Sequence, residues 1–225
     1  MKKNMNRIIL IVLTLALATS TLMGCSRNDG AEAAAAPAVT AAPAVTTEPV
    51  PAPTAEIETG HQAGDRYEGT ITLDGMEETI RYEQIRSDAL GFEMGYDYDR
   101  FERHSEPDRE RFILKDEDPA NPEVYLEITR SAADAETTAA SIGETLSQEY
   151  GITREEYTLD HAGNCIVINA DADKTGQMTM DRLQVVYIVP AGDGCLVAWG
   201  HNTFDSADAF GALYRSMMHT FTVLE

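Results

Sequence analysis

The sequence predicts an α+β domain: a single antiparallel β-sheet with two main helices packed against it. Three observations predict it. Short runs of alternating apolar and polar residues recur from Tyr67 onward, the period of half-buried strands. Around 131–150 and 206–217 that alternation gives way to apolar residues at helical spacing. Strands in runs, with helices set apart from them, suit helices packed on an antiparallel sheet better than alternating βα units.

Tyr67 to Leu73 and Thr79 to Ile85 flank Asp74-Gly75, a strong hairpin signal. Gly91 to Tyr98 alternates cleanly, placing Phe92, Met94, Tyr96 and Tyr98 on one face of a strand. Phe112 to Lys115 and Val124 to Thr129 read as two more strands. Glu102 to Arg111 mixes Arg103, Arg109 and Arg111 with Glu106, Asp108 and Glu110 around Pro107, and reads as a self-neutralising loop open to a partner. The first helix carries Ala135, Ala139, Ile142, Leu146 and Tyr150 on one face, with Ser131 as its cap and Gly151 as its stop. Strands follow at Glu156 to Leu159, Cys165 to Ala170, Leu183 to Val189 and Cys195 to His201. Ser206 caps the second helix, which aligns Phe210, Leu213, Tyr214 and Met217, and Phe221 to Leu224 forms a short last strand. There is no internal repeat.

Ahead of this domain the texture differs. Lys2, Lys3 and Arg7 precede a nearly uninterrupted apolar run from Ile8 to Leu17, and Ala18 to Thr21 is small and polar. That is the layout of a secretory signal, too short for a transmembrane helix of about 20 apolar residues. Residues 25–64 read as a linker, with Pro37, Pro43, Pro49, Pro51 and Pro53 among Ala, Thr and Val. Such a stretch builds no core and favours extended geometry. At about 3 Å per residue it reaches on the order of 100 Å. The boundaries are therefore signal 1–24, linker 25–64 and globular domain 65–225.

Leu22-Met23-Gly24-Cys25 closes the signal and resembles the lipobox of bacterial lipoproteins. The resemblance implies cleavage between Gly24 and Cys25 and acylation of the Cys25 thiol. Two or more acyl chains then hold the protein on the outer side of the cell membrane, since one chain binds only weakly. In the domain, Gly91-Phe92-Glu93-Met94-Gly95-Tyr96 is followed by Asp97, and Thr220-Phe221 follows the second helix. Both resemble motifs of the PsbP/Mog1-like superfamily, Gly-Phe-x-aliphatic-x-Tyr-Pro and a closing Ser-Phe, over about residues 85–225. Asp97 stands where Pro is usual, and Thr220 where Ser is. The resemblance implies the same α+β fold and a non-enzymatic binding role.

The formal net charge is −21, and loss of residues 1–24 makes it three units more negative. Such a chain repels phosphate backbones, which excludes nucleic acid as a partner. With Cys25 assigned to lipid, Cys165 and Cys195 remain. In a simple meander they sit one strand apart, roughly 10 Å. A bridge needs Cα atoms within about 7 Å. Free buried thiols are therefore favoured, a disulfide being the alternative.

Candidate chemistry is sparse. Asp171, Asp173 and Thr175, followed by Gly176, match the first half of a calcium loop. Position twelve is Arg182, not the required Glu, so a polar turn is the plainer reading. Asp116-Glu117-Asp118 with Asn121 and Glu123 contains Pro119 and Pro122, which suits a solvated turn. Cys165 with His161 nearby suggests a core thiol rather than a nucleophile, and Trp199 a core residue rather than a ligand platform. No zinc, phosphate-loop, dinucleotide or nucleophile-elbow motif is present. The sequence thus leads to a lipid-anchored extracytoplasmic binding or accessory module without a cofactor. Its partners are the membrane, through the lipid on Cys25, and an unidentified protein or small molecule. The alternatives are a cell-envelope hydrolase using a carboxylate pair and a structural envelope protein.

Overall fold

The computed structural model describes residues 60–73, 75–173, 175, 183–203 and 207–224. The chain divides between Pro49 and Val50, and all described residues belong to the second part. Cys25, the signal 1–24 and most of the linker lie outside them.

Strands β1 (Arg66–Leu73), β2 (Met76–Ser87) and β3 (Phe92–Asp97) follow one another as a meander. The strands β4 (Phe101–Glu106), β5 (Arg109–Leu114) and β6 (Tyr125–Ser131) lead into helix α1 (Ala135–Leu146). A second meander contains β7 (Tyr150–Leu159), β8 (Gly163–Asp173), β9 (Leu183–Ala191) and β10 (Gly194–Asn202). Helix α2 (Ala207–His219) and the short β11 (Thr222–Val223) complete the order.

These strands build two sheets, not the single sheet predicted, and the domain is mainly β. One sheet has four strands in the order β1-β2-β3-β11, the other seven in the order β4-β5-β6-β10-β9-β8-β7. Every pairing is antiparallel. The split has a local cause at the β3–β4 turn. Asp97, fully buried, accepts the backbone N–H groups of Asp99 (3.0 Å) and Arg100 (3.3 Å). It also pairs with the Arg100 guanidinium at 2.7 Å. This carboxylate fixes a turn that carries the chain from one sheet into the other.

The β4–β5 hairpin is a second difference, because the sequence suggested a loop there. Its charges pair across the strands: Arg103 to Glu110 at 2.8 and 2.9 Å, Arg111 to Glu106 at 2.8 Å. β7 begins at Tyr150, so Gly151 lies in a strand. Asp134, not Ser131, caps α1, accepting from Thr137 N. Ser206 and Asp74 lie outside the described residues. Gly75, at φ 77°, supplies the left-handed position of the β1–β2 turn.

Two apolar clusters form the core. The first gathers Ile80, Tyr82, Phe92 and Met94 from the small sheet with Phe101, Phe112, Leu126 and Leu196 from the large one. α2 packs on both sheets through Leu213, Tyr214, Met217 and Met218, each about 1% exposed or less. Phe221 just beyond it stacks on Phe92 at 4.9 Å. Each such side chain contributes about 1.5–3 kcal/mol on burial. Gly200 lets Tyr214 lie on β10: a Cβ there would meet the ring at 2.6 Å. The second cluster lies on the opposite face of the large sheet, where Ala139 and Leu146 of α1 cover Ile166, Ile168, Val186 and Ile188.

Candidate functional site

Along β7, β8 and β9, alternation sends Tyr157, Cys165, Val167, Asn169 and Tyr187 to the α2 side of the large sheet. The register sets Glu155, Val167 and Tyr187 in one row across three strands, and pairs Tyr157 with Cys165 in the next. Arg215 and His219 stand four residues apart on α2, hence on one side of that helix. The strands and Arg215 frame a shallow recess of about 20 Å³, open to solvent, lined by Glu155, Tyr157, Val167, Asn169, Tyr187 and Arg215.

A chain of hydrogen bonds ends at this recess. His219 Nδ1 lies 3.0 Å from Asp160 Oδ2, and His219 Nε2 lies 2.8 Å from Tyr157 Oη. The carboxylate can only accept, so the neutral ring carries its proton on Nδ1 and accepts the Tyr157 hydroxyl at Nε2. The imidazole is 14% exposed, and Tyr157 meets it edge-on. Arg215 lines the same recess as Tyr187. Glu155 sits at the rim, 3.5 Å from the Asn169 amide.

Burial sets the ionisation of this group. It pushes the Tyr187 phenol up to about 12 against the opposing pull of Arg215. It raises Tyr157 too, again opposed by Arg215. The Cys165 thiol is pushed up to about 12 by burial, reinforced by Glu155. All three stay protonated near neutral pH. The recess therefore presents neutral hydroxyls, one cationic guanidinium and one rim carboxylate.

The sequence candidates fall elsewhere. Cys165 lies beneath the recess, while His161 is exposed in the β7–β8 turn. Cys165 and Cys195 are free and buried. They belong to different clusters on opposite faces of the sheet, and Cys195 donates to Thr138 Oγ1 at 3.3 Å. Asp171 and Asp173 lie in β8, with Asp173 paired to Tyr150, so extended backbone stands where a loop would have to wrap an ion. Thr175 is exposed in the turn beyond, and Arg182 lies outside the described residues. Among the described residues no group of three or more His, Cys, Asp or Glu side chains is placed to hold a metal.

The acidic stretch at 116–123 is a structured turn. Asp116 adopts φ 73°, and Glu117 accepts the N–H groups of Glu123 and Val124. Trp199 is half-buried on the α1 side of β10, donating to Gln184 Oε1 at 2.8 Å and stacking near His201. Asp160, Tyr157, Tyr187, Arg215 and His219 were not singled out from sequence. The one local signal was the four-residue spacing of Arg215 and His219.

Fold and recess together define the class: a mainly β, two-sheet domain with a small polar recess beside its second helix. No protein-family model and no curated protein matches the chain. Among solved structures it is similar to cyanobacterial PsbP (CyanoP) from Synechocystis sp. PCC 6803. The identity is 12% and the TM-score 0.44, covering 63% of this chain and 92% of that one. A protein from Bacteroides thetaiotaomicron is 10% identical at TM-score 0.41, over 63% of this chain and 48% of its own. LpqN, described as involved in cell envelope biogenesis of Mycobacterium tuberculosis, is 11% identical at TM-score 0.30, over 73% of this chain and 87% of its own. Among the described residues no helix is long and apolar enough to cross a membrane.

Proposed function

We propose that this protein is an extracytoplasmic binding or accessory module, tethered by a lipid on Cys25, and that the recess beside α2 receives its partner. One observation carries the reading. Asp160, His219 and Tyr157 form an oriented hydrogen-bond chain that ends, with Arg215 and Tyr187, at a solvent-open recess. Convergence of polar groups from β7, β9, α2 and a turn on one recess is the usual mark of a binding site. The direction of the ionisation shifts supports binding over catalysis. A general base or nucleophile works with a pKa brought toward the operating pH, and Tyr157, Tyr187 and Cys165 are pushed away from it. The tether rests on Leu22-Met23-Gly24-Cys25 and the proline-rich spacer behind it.

The test is photocrosslinking in intact cells. A crosslinking side chain at Glu155, on the recess rim, should give a discrete adduct. The same side chain at Met76, 65% exposed on the other sheet, should not. Equal labelling from both positions, or none from 155, would overturn the reading. Cys25→Ser should move the protein out of the membrane fraction. A hydrolase activity abolished by one substitution in the domain would replace binding with catalysis.

A further inference from the structure

We propose that β1 is a docking edge for a second copy of this chain, the two β1 strands pairing antiparallel about a two-fold axis at Thr70. The recess plays no part in this contact.

A sheet edge offers a row of unpaired N–H and C=O groups, and proteins blunt such edges with charge, bulges or short strands. Among the described residues the two sheets end in β1, β11, β4 and β7. Three of these edges are blunted. β7 has a register break between Gly151 and Thr153 and the exposed charged run Arg154-Glu155-Glu156. β4 is six residues long and carries Glu102, Arg103, His104 and Glu106. β11 has two residues, and past it the Thr220 hydroxyl engages both the N–H and the C=O of Gly95, at 2.8 and 3.2 Å. β1 has none of these devices. It is eight residues long, pairs with β2 in unbroken register and contains no Pro or Lys. Its two charges are answered by β2, Arg66 by Glu83 at 2.7 Å and Glu68 by Arg81 opposite it.

The ladder fixes which groups face outward. Gln84 N donates to Asp65 O at 2.9 Å, and antiparallel pairs alternate between bonded and non-bonded. Tyr67, Gly69, Ile71 and Leu73 therefore aim their backbone groups at β2, while Glu68, Thr70 and Thr72 aim theirs away from it. With Thr70 set opposite Thr70 of a second copy, Glu68 faces the partner's Thr72, and about six hydrogen bonds close. No like charges are opposed. On the other face Tyr67 meets the partner's Leu73, and Gly69 the partner's Ile71, pairs of the kind that stabilise sheets. Tyr67, Ile71 and Leu73 belong to the core that α2 packs on. A second copy brings its own α2 to cover that face, whereas a lone peptide strand would leave it bare. The formal net charge of −21 makes two copies repel, so added salt strengthens the pairing. One strand pair buries less than the roughly 1,200–2,000 Å² of a stable complex. The contact is therefore weak in solution, and anchors sharing one membrane raise the local concentration that favours it.

The experiment is analytical ultracentrifugation of the chain carrying Cys25→Ser, with disulfide trapping in parallel. A monomer–dimer equilibrium should appear below about 1 mM and tighten between about 0.05 and 0.5 M salt. Thr70→Pro removes the N–H at the axis, which β2 does not use, and is tolerated on an edge strand. It should weaken association about tenfold, the scale of one or two lost hydrogen bonds, while the circular dichroism stays that of the parent. Under mild oxidation Thr70→Cys should form a linked dimer, its Cα atoms lying about 5.5 Å apart across the axis. Thr79→Cys, exposed one strand further in, should not. A chain monomeric to about 1 mM, association indifferent to Thr70→Pro, equal trapping at 70 and 79, or weakening by salt would each overturn the proposal. In intact cells a photocrosslinker at 70 should join two copies; adducts with other proteins alone would overturn the second copy in favour of a foreign strand. An adduct of two copies through Met76, on the neighbouring strand, supports this contact, and the recess is judged by adducts with other molecules.

Discussion

Replacing Glu110 by alanine should destabilise the domain by about 2–3 kcal/mol. The side chain is 2% exposed. Both carboxylate oxygens are engaged, by Arg103 at 2.8 and 2.9 Å and by Ser105 Oγ at 2.9 Å. Removing one partner of a buried pair costs about 3–5 kcal/mol because the other charge is stranded. Arg103 is 27% exposed and can regain some water, which brings the value below that range. Burial pushes the Glu110 carboxyl up. The hydrogen bonds from Arg103, Ser105 and Ser87 outweigh it and hold the group below its ordinary value. A carboxyl depressed by folding adds stability above its unfolded pKa, about 4.3. That stability is lost as pH falls through the folded pKa. Urea unfolding followed by circular dichroism, on wild type, Glu110→Ala and Glu110→Gln between about pH 7 and pH 3, measures both effects. The gap between wild type and Glu110→Gln should be widest near neutrality and close as the solution is acidified. A loss under about 0.5 kcal/mol for Glu110→Ala, or a gap that stays constant with pH, would refute the reasoning.

Gly200→Ala should cost about 1–3 kcal/mol through overpacking, since the new methyl meets Tyr214 at 2.6 Å and Val185 at 2.9 Å; a thermal melt unchanged within a degree would contradict this. Asp97→Ala should cost about 2–4 kcal/mol by stripping the β3–β4 turn of its acceptor, read from the urea midpoint, with Asp97→Asn retaining part of the loss. In the chain carrying Cys25→Ser, a thiol reagent should label two cysteines in denaturant and neither in the native state; one or no reactive thiol in denaturant would reveal a bridge.

Where a pattern repeats within a few residues, the sequence was legible. The hairpin at Gly75, the alternation of 92–97 and the helical spacing of 210–217 all rest on neighbouring side chains. The number of sheets depends on which strands pair, and alternation carries no record of partners. The β3–β4 break depends on one buried carboxylate, Asp97, whose role appears only when Arg100 and two N–H groups surround it. The β4–β5 hairpin was hidden because its stabilising pairs are charged residues, which read as solvent-exposed loop until register sets Arg103 against Glu110. The recess was hidden for a related reason. Tyr157 and His219 lie 62 residues apart, and Arg215 looks like any surface arginine until α2 is laid over β7 to β9.

The position of α2 in the chain gives the domain an order of assembly. Among the described residues ten strands precede the helix that packs on both sheets, and β11 joins β3 only after it. Each meander can form from local contacts. Phe92, Met94, Phe101 and Phe112 share one core cluster with Leu213, Tyr214, Met217, Met218 and Phe221. Contacts of such long sequence separation form late and slowly. A domain whose closing helix follows ten of its described strands keeps that part of its core open until the helix is made.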